Sequence, residues 1–252
     1  MISNGGCVDR RIFLIGAAAA AAGCATNPVT GRGQLILIDD SQLQSAALQA
    51  WDQQIHTERT WNNPDAQMRL QRIGMRIVTV ARLGTQQWEF RLFDSDEKNA
   101  FVLPANKVGF YRGLYEFCQS DDEIACILGH ETGHVLGRHA AERYSRNLAT
   151  EVAVDAAAIS SRNALAAAAL GLGAQFGLVL PFSRDQEAEA DMIGIELMHA
   201  AGYDVRQAIP FWRRMETSGG SRPPEFFSTH PGPETRIALL RQHINERGWG
   251  PV

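Results

Sequence analysis

Residues 126–139 read CILGHETGHVLGRH, and the pentapeptide HETGH at positions 130–134 has the spacing of a metal site on one helix. Side chains four residues apart on a helix point the same way, one turn apart. His130 and His134 can therefore offer two imidazoles to one metal ion, while Glu131 can reach a water molecule bound to that ion. A pentapeptide can also match this pattern by chance, so the rest of the chain has to supply the remaining parts of a metal site.

A third protein ligand is required, because catalytic zinc binds three protein ligands and keeps one position open. His139 is near in sequence, but the pattern H-E-x-x-H-x-x-G-x-x-H needs its last histidine at position 140, where this chain has Ala140. On a continuous helix His139 also points away from the face shared by His130 and His134. We therefore predict a structural or surface role for His139.

The stretch EAEAD at positions 187–191 is a better source of the third ligand. Glu187 can complete a set of two histidines and one glutamate from a second helix. Asp191, one turn later, can accept a hydrogen bond from the outer ring nitrogen of a ligand histidine. Glu189 is expected to face elsewhere. The alternative is that these carboxylates only stabilise the start of a helix through its dipole.

Composition favours an ordinary globular protein. The chain has 252 residues, of which 45% are hydrophobic and 21% charged, and its net charge is -4. This charge, with no block of lysine and arginine, excludes a typical nucleic-acid binder. The chain shows no internal repeat, which makes a helical-repeat array unexpected.

The N-terminus has the order of parts of a bacterial export signal. Arg10 and Arg11 precede an apolar run at 12–22 that is too short for a membrane-spanning helix, and Cys24 follows. We predict a Tat-like signal at 1–23 that is cleaved before a lipid-modified Cys24. In the alternative, the signal is an ordinary one and the cysteine is incidental. If Cys24 carries the lipid, residues 24–34 are a polar, lipid-anchored tether. Residues 35–252 are predicted to form the folded domain.

The hydrophobic pattern predicts a mostly helical α+β domain. Helices are expected near 41–56 and 64–84, and three short strands at 88–94, 99–104 and 107–112 predict a small sheet of about three strands. A capping box at Ser120 predicts a long helix running through HETGH to about Tyr144. The uncharged stretch 164–182 is expected to be a helix or helical loop over the site. Further helices are expected at 204–216 and 233–247.

Four stretches together resemble a known family. They read NAFVLP (99–104), GLYEFCQSDDEIACILGHETGHVLGRHAAER (113–143), LPFSRDQEAEADMIGIELMHAAGYD (180–204) and FFSTHPGPETRI (226–237). They resemble the HtpX-like and CAAX-prenyl-protease-like zinc metallopeptidases, peptidase family forty-eight, and most of all its small periplasmic lipoprotein members.

The resemblance implies a zincin fold of the gluzincin type, with His130, His134 and Glu187 as ligands of one zinc ion per chain and Glu131 as general base. It also implies a role near the zinc for His230 of the STHP stretch. There, His230 would either help to stabilise the oxyanion or occupy the open metal position. Arg236 is either a second oxyanion donor or a salt-bridge partner, and the sequence leaves this open.

The implied activity is that of a zinc endopeptidase of the bacterial envelope that removes misfolded or unassembled envelope proteins. It would be periplasmic and attached to a membrane, with the outer membrane as the default, through the lipid at Cys24. Its partners would be polypeptides and not nucleic acids. The alternative is a latent or inactive zinc-bound, chaperone-like binding lipoprotein, held closed by His230 or by the segment 164–182.

Overall fold

A computed structural model of the chain describes residues 24–84, 87–161, 181–219, 223–231 and 233–251. The strands are β1 (Cys24–Thr26), β2 (Gly33–Leu35), β3 (Glu89–Phe93), β4 (Ala100–Leu103) and β5 (Lys107–Tyr111). The helices are α1 (Asp40–Thr57), α2 (Pro64–Val80), α3 (Arg112–Phe117), α4 (Asp121–Leu136), α5 (His139–Ser161), α6 (Arg184–Ala200), α7 (Ala208–Thr217), α8 (Phe226–Thr229) and α9 (Pro233–Glu246), with a 3-10 turn at Val205–Gln207. The predicted export signal and most of the stretch 164–182 lie outside the described residues.

The sheet is mixed, with the strand order β3-β5-β4. Strand β5 pairs in parallel with β3 and antiparallel with β4, so β4 is an edge strand. Buried phenylalanines fill the sheet faces, among them Phe93 and Phe110. This small sheet among many helices confirms the predicted mostly helical α+β class.

Helices α4 and α6 carry HETGH and EAEAD, and their backbones come into direct contact. A Cβ atom added to Gly133 would lie 2.5 Å from the carbonyl oxygen of Ala190, and one added to Gly129 would lie 2.7 Å from that of Gly194. Only residues without a side chain allow such an approach. The two motifs therefore face each other where α4 and α6 cross in close backbone contact.

Helix α4 ends eight residues earlier than the sequence predicts. It stops at Leu136, and Arg138 adopts a φ of 54°, which breaks the predicted continuous helix to Tyr144. A Cβ atom added to Gly137 would lie 2.4 Å from the ring of His139, so glycine is required beside this turn. Helix α5 then begins at His139, and the imidazole ring of His139 is turned back toward His134 on α4.

Strands β1 and β2 form an antiparallel hairpin across residues 24–35, the segment expected to be a polar tether. Two buried side chains fix it to the end of α4. The amide of Gln34 donates to the carbonyl of Gly137 over 2.7 Å, and Asn27 donates to the same carbonyl over 3.4 Å. The segment is thus packed against the domain through polar side chains. Hydrophobic periodicity did not predict this packing, because the buried partners of these side chains lie far away in the sequence.

Among the described residues, no helix is both long and apolar enough to span a bilayer.

Candidate metal centre

Four buried side chains from three parts of the chain aim their donor atoms at one point. His130 and His134 come from α4, Glu187 from α6 and His230 from the end of α8. Nε2 of His134 lies 3.1 Å from Nε2 of His130 and 3.4 Å from Oε1 of Glu187. Nδ1 of His230 lies 3.2 Å from Nε2 of His130 and 3.0 Å from Oε1 of Glu187. None of the four residues is more than 2% exposed.

These spacings fit a tetrahedral metal ion. Donor atoms about 2.0–2.1 Å from a central ion are about 3.3–3.4 Å apart at the corners of a tetrahedron. Nitrogen and carboxylate donors in a set of three histidines and one glutamate suit zinc and similar divalent ions. The four donor–donor distances given above, 3.0–3.4 Å, are close to this spacing.

Protonation states in the cluster also favour metal binding. Burial lowers the pKa of His134 well below its ordinary value, so the imidazole stays neutral. Burial alone would raise the pKa of Glu187, but His230 and Arg236 beside it lower the pKa well below its ordinary value. Neutral imidazoles and ionised carboxylates are the forms that bind metals.

The outer nitrogen of His130 is held by an acidic and a basic side chain. Its Nδ1 lies 2.8 Å from Oδ1 of Asp191. Arg236 grips the same carboxylate through Nε at 2.6 Å and Nη2 at 2.8 Å, and its Nη1 lies 2.9 Å from Oε2 of Glu187. Burial would raise the pKa of Asp191, but Arg236 lowers it below the ordinary value, so this carboxylate is kept charged. Arg236 is therefore a salt-bridge partner, the second of the two roles left open by the sequence.

The outer nitrogen of His134 has a partner that the sequence did not indicate. Its Nδ1 lies 2.9 Å from Nδ1 of His139, whose Nε2 lies 3.0 Å from Oε2 of Glu189. His139 is fully buried. His139 was predicted to point away from the site because helix α4 was expected to continue beyond Leu136, and Glu189 was expected to face elsewhere because it lies between Glu187 and Asp191 on one helix. The glycine at 137 was the one signal of a break.

Glu131 lies next to the donor cluster on α4. Its Oε1 is 3.5 Å from Nε2 of His230, and this oxygen has no hydrogen-bond partner within the described part of the chain. Burial raises the pKa of Glu131 to about 7, while His230 and the backbone N–H of Val102 in β4 act against the rise. A buried, unpartnered carboxylate oxygen beside metal donors is suited to bind a water molecule.

Aromatic rings cover the imidazoles. Phe182 stacks on His134 with ring centroids 3.8 Å apart, and Phe226 stacks on His230 at 4.2 Å. The backbone N–H of Phe182 donates to the carbonyl of Thr229 over 2.9 Å, which ties the two covering segments together. The rings limit water access and lock the histidine rotamers.

A cavity of about 180 Å³ opens beside His134, between the edge strand β4 and helix α1. It is mostly apolar, with Leu43, Val102, Val135 and Phe182 among the residues in its wall. Because it meets the edge strand and the donor cluster together, it can hold a side chain of an extended peptide.

The structure thus brings together all the predicted site residues of the folded domain: His130, Glu131, His134, Glu187, Asp191 and His230. Cys24, the predicted site of lipid attachment, begins strand β1 of the hairpin.

Comparison with known proteins places these residues in a family. Residues 64–244 match the model described as Peptidase family M48. The chain is 36% identical over 184 residues to the mitochondrial metalloendopeptidase OMA1 of Schizosaccharomyces pombe, which covers 69% of this chain and 52% of that protein. It is 29% identical over 195 residues to the beta-barrel assembly-enhancing protease of Escherichia coli K12, which covers 73% of this chain and 40% of that protein. The chain thus spans about half the length, or less, of these relatives.

Proposed function

The chain belongs to peptidase family M48, a family of metalloendopeptidases, and we propose that it is a zinc-dependent endopeptidase acting on unfolded or unassembled proteins of the bacterial envelope. The observation that carries the proposal is the unpartnered carboxylate oxygen Oε1 of Glu131 beside four convergent metal donors. Family membership implies a divalent metal, and the donor set favours zinc among such ions.

His130, His134 and Glu187 would hold the metal. A zinc ion bound there would polarise the scissile carbonyl as a Lewis acid and lower the pKa of a bound water molecule. Asp191 and Arg236 fix the orientation of His130, and the turn at Gly137 brings His139 against His134. The cluster is preorganised, so little reorganisation is required during the reaction.

Glu131 is the general base. It takes a proton from the attacking water and later delivers that proton to the amine of the leaving peptide. Its burial raises the pKa to about 7, closer to neutral pH than an exposed glutamate, which suits a group that must both accept and release a proton. The rings of Phe182 and Phe226 keep bulk water from the reacting groups.

Strand β4 supplies the means of binding an extended substrate. It is the edge strand beside the donor cluster, and its Val102 is in contact with Glu131 through the backbone. A peptide added to this edge is recognised mainly through its main chain, which tolerates many sequences but requires an unfolded segment. Broad tolerance with a requirement for unfolding suits removal of misfolded proteins.

The substrate class is tested by comparing an unfolded and a folded form of one protein, with and without a chelator. Cleavage of the unfolded form alone, lost on chelation and restored by zinc, is expected. Equal cleavage of both forms, or of neither, contradicts the proposed quality-control role.

A latent state is the second candidate, and the position of His230 favours it. Four protein donors close a tetrahedral site, whereas a catalytic zinc needs one open position. His230 therefore either swings aside to assist the oxyanion or keeps the protein as a zinc-bound, chaperone-like binder. A His230→Ala variant that cleaves faster than the wild type indicates latency; one that binds zinc but cleaves more slowly indicates a catalytic role.

The proposed location follows from the N-terminal sequence. Residues 1–23 direct export and are removed, Cys24 carries a lipid, and residues 35–252 form the peptidase domain in the periplasm, with outer-membrane attachment as the default. Fractionation of cells expressing Cys24→Ser tests this, because the variant is expected to lose membrane attachment. Unchanged attachment of the variant contradicts the lipid anchor.

A further inference from the structure

We propose that His139 and Glu189 are positioning residues for the metal ligand His134, and that Arg32 of the N-terminal hairpin completes this support. The inference rests on the proposed metal site and extends it to Arg32, which lies outside the family match at 64–244.

The hydrogen-bond chain fixes one tautomer at each step. When Nε2 of His134 binds a metal, its Nδ1 carries the proton and donates to Nδ1 of His139, 2.9 Å away. His139 must then carry its own proton on Nε2, which donates to Oε2 of Glu189 over 3.0 Å. A carboxylate thus orients the metal ligand through one intervening imidazole, in the way that outer carboxylates orient ligand histidines directly.

Hydrogen bonds to both carboxylate oxygens fix the position of Glu189. Its Oε1 accepts from the hydroxyl of Thr30 over 2.6 Å and from Nε of Arg32 over 2.9 Å. Its Oε2 accepts from Nη2 of Arg32 over 3.0 Å and from the amide of Asn27 over 3.1 Å, beside the bond from His139. Three of the four residues that hold this carboxylate come from the hairpin.

Arg32 also joins Glu189 to a second buried carboxylate. Its Nη1 and Nη2 donate to Oε1 and Oε2 of Glu142 over 2.9 and 2.7 Å. Glu142 is fully buried in α5, and it accepts further hydrogen bonds from Gln34 and Gln186 over 3.0 and 2.9 Å. Gln186 precedes the ligand Glu187, so the hairpin arginine links helix α5, which begins at His139, to helix α6, which carries Glu187.

The alternative is that these contacts only hold the hairpin on the domain. That role predicts that variants lose folding stability while the folded protein keeps its metal affinity. The positioning role predicts weaker metal binding by a folded protein. The two are separated by readouts that do not depend on peptidase activity.

The first test is the tautomer of His139 in the zinc-loaded full chain, read from long-range 1H–15N NMR spectra after 15N-histidine labelling. The chain has seven histidines, so the spectrum is countable. A proton on Nε2 and none on Nδ1 of His139 is expected, with His134 protonated on Nδ1. A protonated Nδ1 on His139 overturns the proposal, and this test requires no variant to fold.

The second test is zinc affinity by competition with a chelating dye. Glu189→Gln keeps the shape of the side chain but replaces an acceptor with a donor, and a loss of about 10- to 100-fold is expected. Arg32→Met, at a partly exposed position, should show a smaller loss in the same direction. Arg146→Met is the matched control, because Arg146 donates to Glu142 over 2.6 Å and is not bonded to Glu189. Its affinity should stay within about twofold of the wild type.

Thermal unfolding of each protein in chelator reports its stability without metal. Wild-type zinc affinity in folded Glu189→Gln or Arg32→Met overturns the proposal. If the affinities fall as expected but no substrate is cleaved, the peptidase function fails and the positioning role stands. If the wild type cleaves substrate but the variants keep wild-type zinc affinity, the positioning role fails and the peptidase function stands.

Discussion

A single methyl group at the crossing of α4 and α6 should weaken the metal site more than it weakens the fold. In Gly133→Ala, the new Cβ would lie 2.5 Å from the carbonyl oxygen of Ala190. Ordinary contact begins at about 3.4 Å, so the helices must separate locally by about 0.9 Å in a core with no free space. His134 and Glu187 lie on either side of this crossing, and their donor atoms are 3.4 Å apart.

The separation exceeds what a metal site tolerates. Moving these donors to about 4 Å apart stretches at least one bond beyond the tolerance of about 0.2 Å. Overpacking costs about 1–3 kcal/mol, and the better helix propensity of alanine offsets up to about 1 kcal/mol. The variant should therefore fold with a net loss of about 0–2 kcal/mol, while zinc affinity falls by about tenfold or more.

Zinc competition and chemical unfolding in chelator measure the two effects separately. Gly74→Ala is the matched control, because its Cβ would lie 2.2 Å from the ring of Phe90 in a contact between helix α2 and the sheet. It should lose stability without losing zinc affinity. Wild-type zinc affinity in Gly133→Ala, or an equal loss of zinc affinity in both variants, would show that the crossing of α4 and α6 does not set the spacing of the metal donors.

Three further changes test other parts of the account. Asp191→Asn should reduce zinc affinity by about 10- to 100-fold in competition assays, whereas Glu196→Gln, at a half-buried carboxylate on the same helix that pairs with His243 and Arg247, should leave it unchanged. Burial alone would raise the pKa of Glu142, but hydrogen bonds from Arg32, Gln186 and Gln34 outweigh it and lower the pKa to about 2. The pKa of Glu142 is thus lower in the folded state than in the unfolded state. Glu142 therefore adds on the order of 2–3 kcal/mol to the free energy of unfolding above about pH 4.5, and this contribution is lost as pH falls toward 2. Glu142→Gln should flatten the dependence of unfolding free energy on pH across this window, and an unchanged slope would contradict the assignment. Phe226→Ala removes a fully buried ring that stacks on His230 and should cost about 3–5 kcal/mol in urea unfolding; a cost below 1 kcal/mol would show that the site can collapse around the gap.

The sequence predicted the elements whose signal is local. Helical spacing placed His130 and His134 on one face, and a second acidic stretch one turn long supplied Glu187 and Asp191. Alternation and turn spacing predicted the three strands of the sheet. In each case the pattern repeats along a single element, so no knowledge of distant contacts was needed.

The parts that were missed depend on tertiary contacts. The positive φ of Arg138 breaks a helix whose periodicity continues into α5, and only that break turns His139 back toward His134. The hairpin at 24–35 has no apolar pattern, because partly buried hydrogen bonds to Glu189 and Glu142 hold it in place. Periodicity reports which faces are apolar, and it carries no information about where buried polar groups find their partners.

The role of Glu131 as general base is tested by measuring zinc content and cleavage of an unfolded protein by the wild type and by Glu131→Gln. We expect one zinc ion per chain in both proteins, with cleavage by the wild type and a loss of cleavage in the variant. Equal cleavage by the two proteins would contradict the assignment of Glu131 as the general base. One zinc ion in each without cleavage by either would contradict the peptidase function and favour the latent, zinc-bound form.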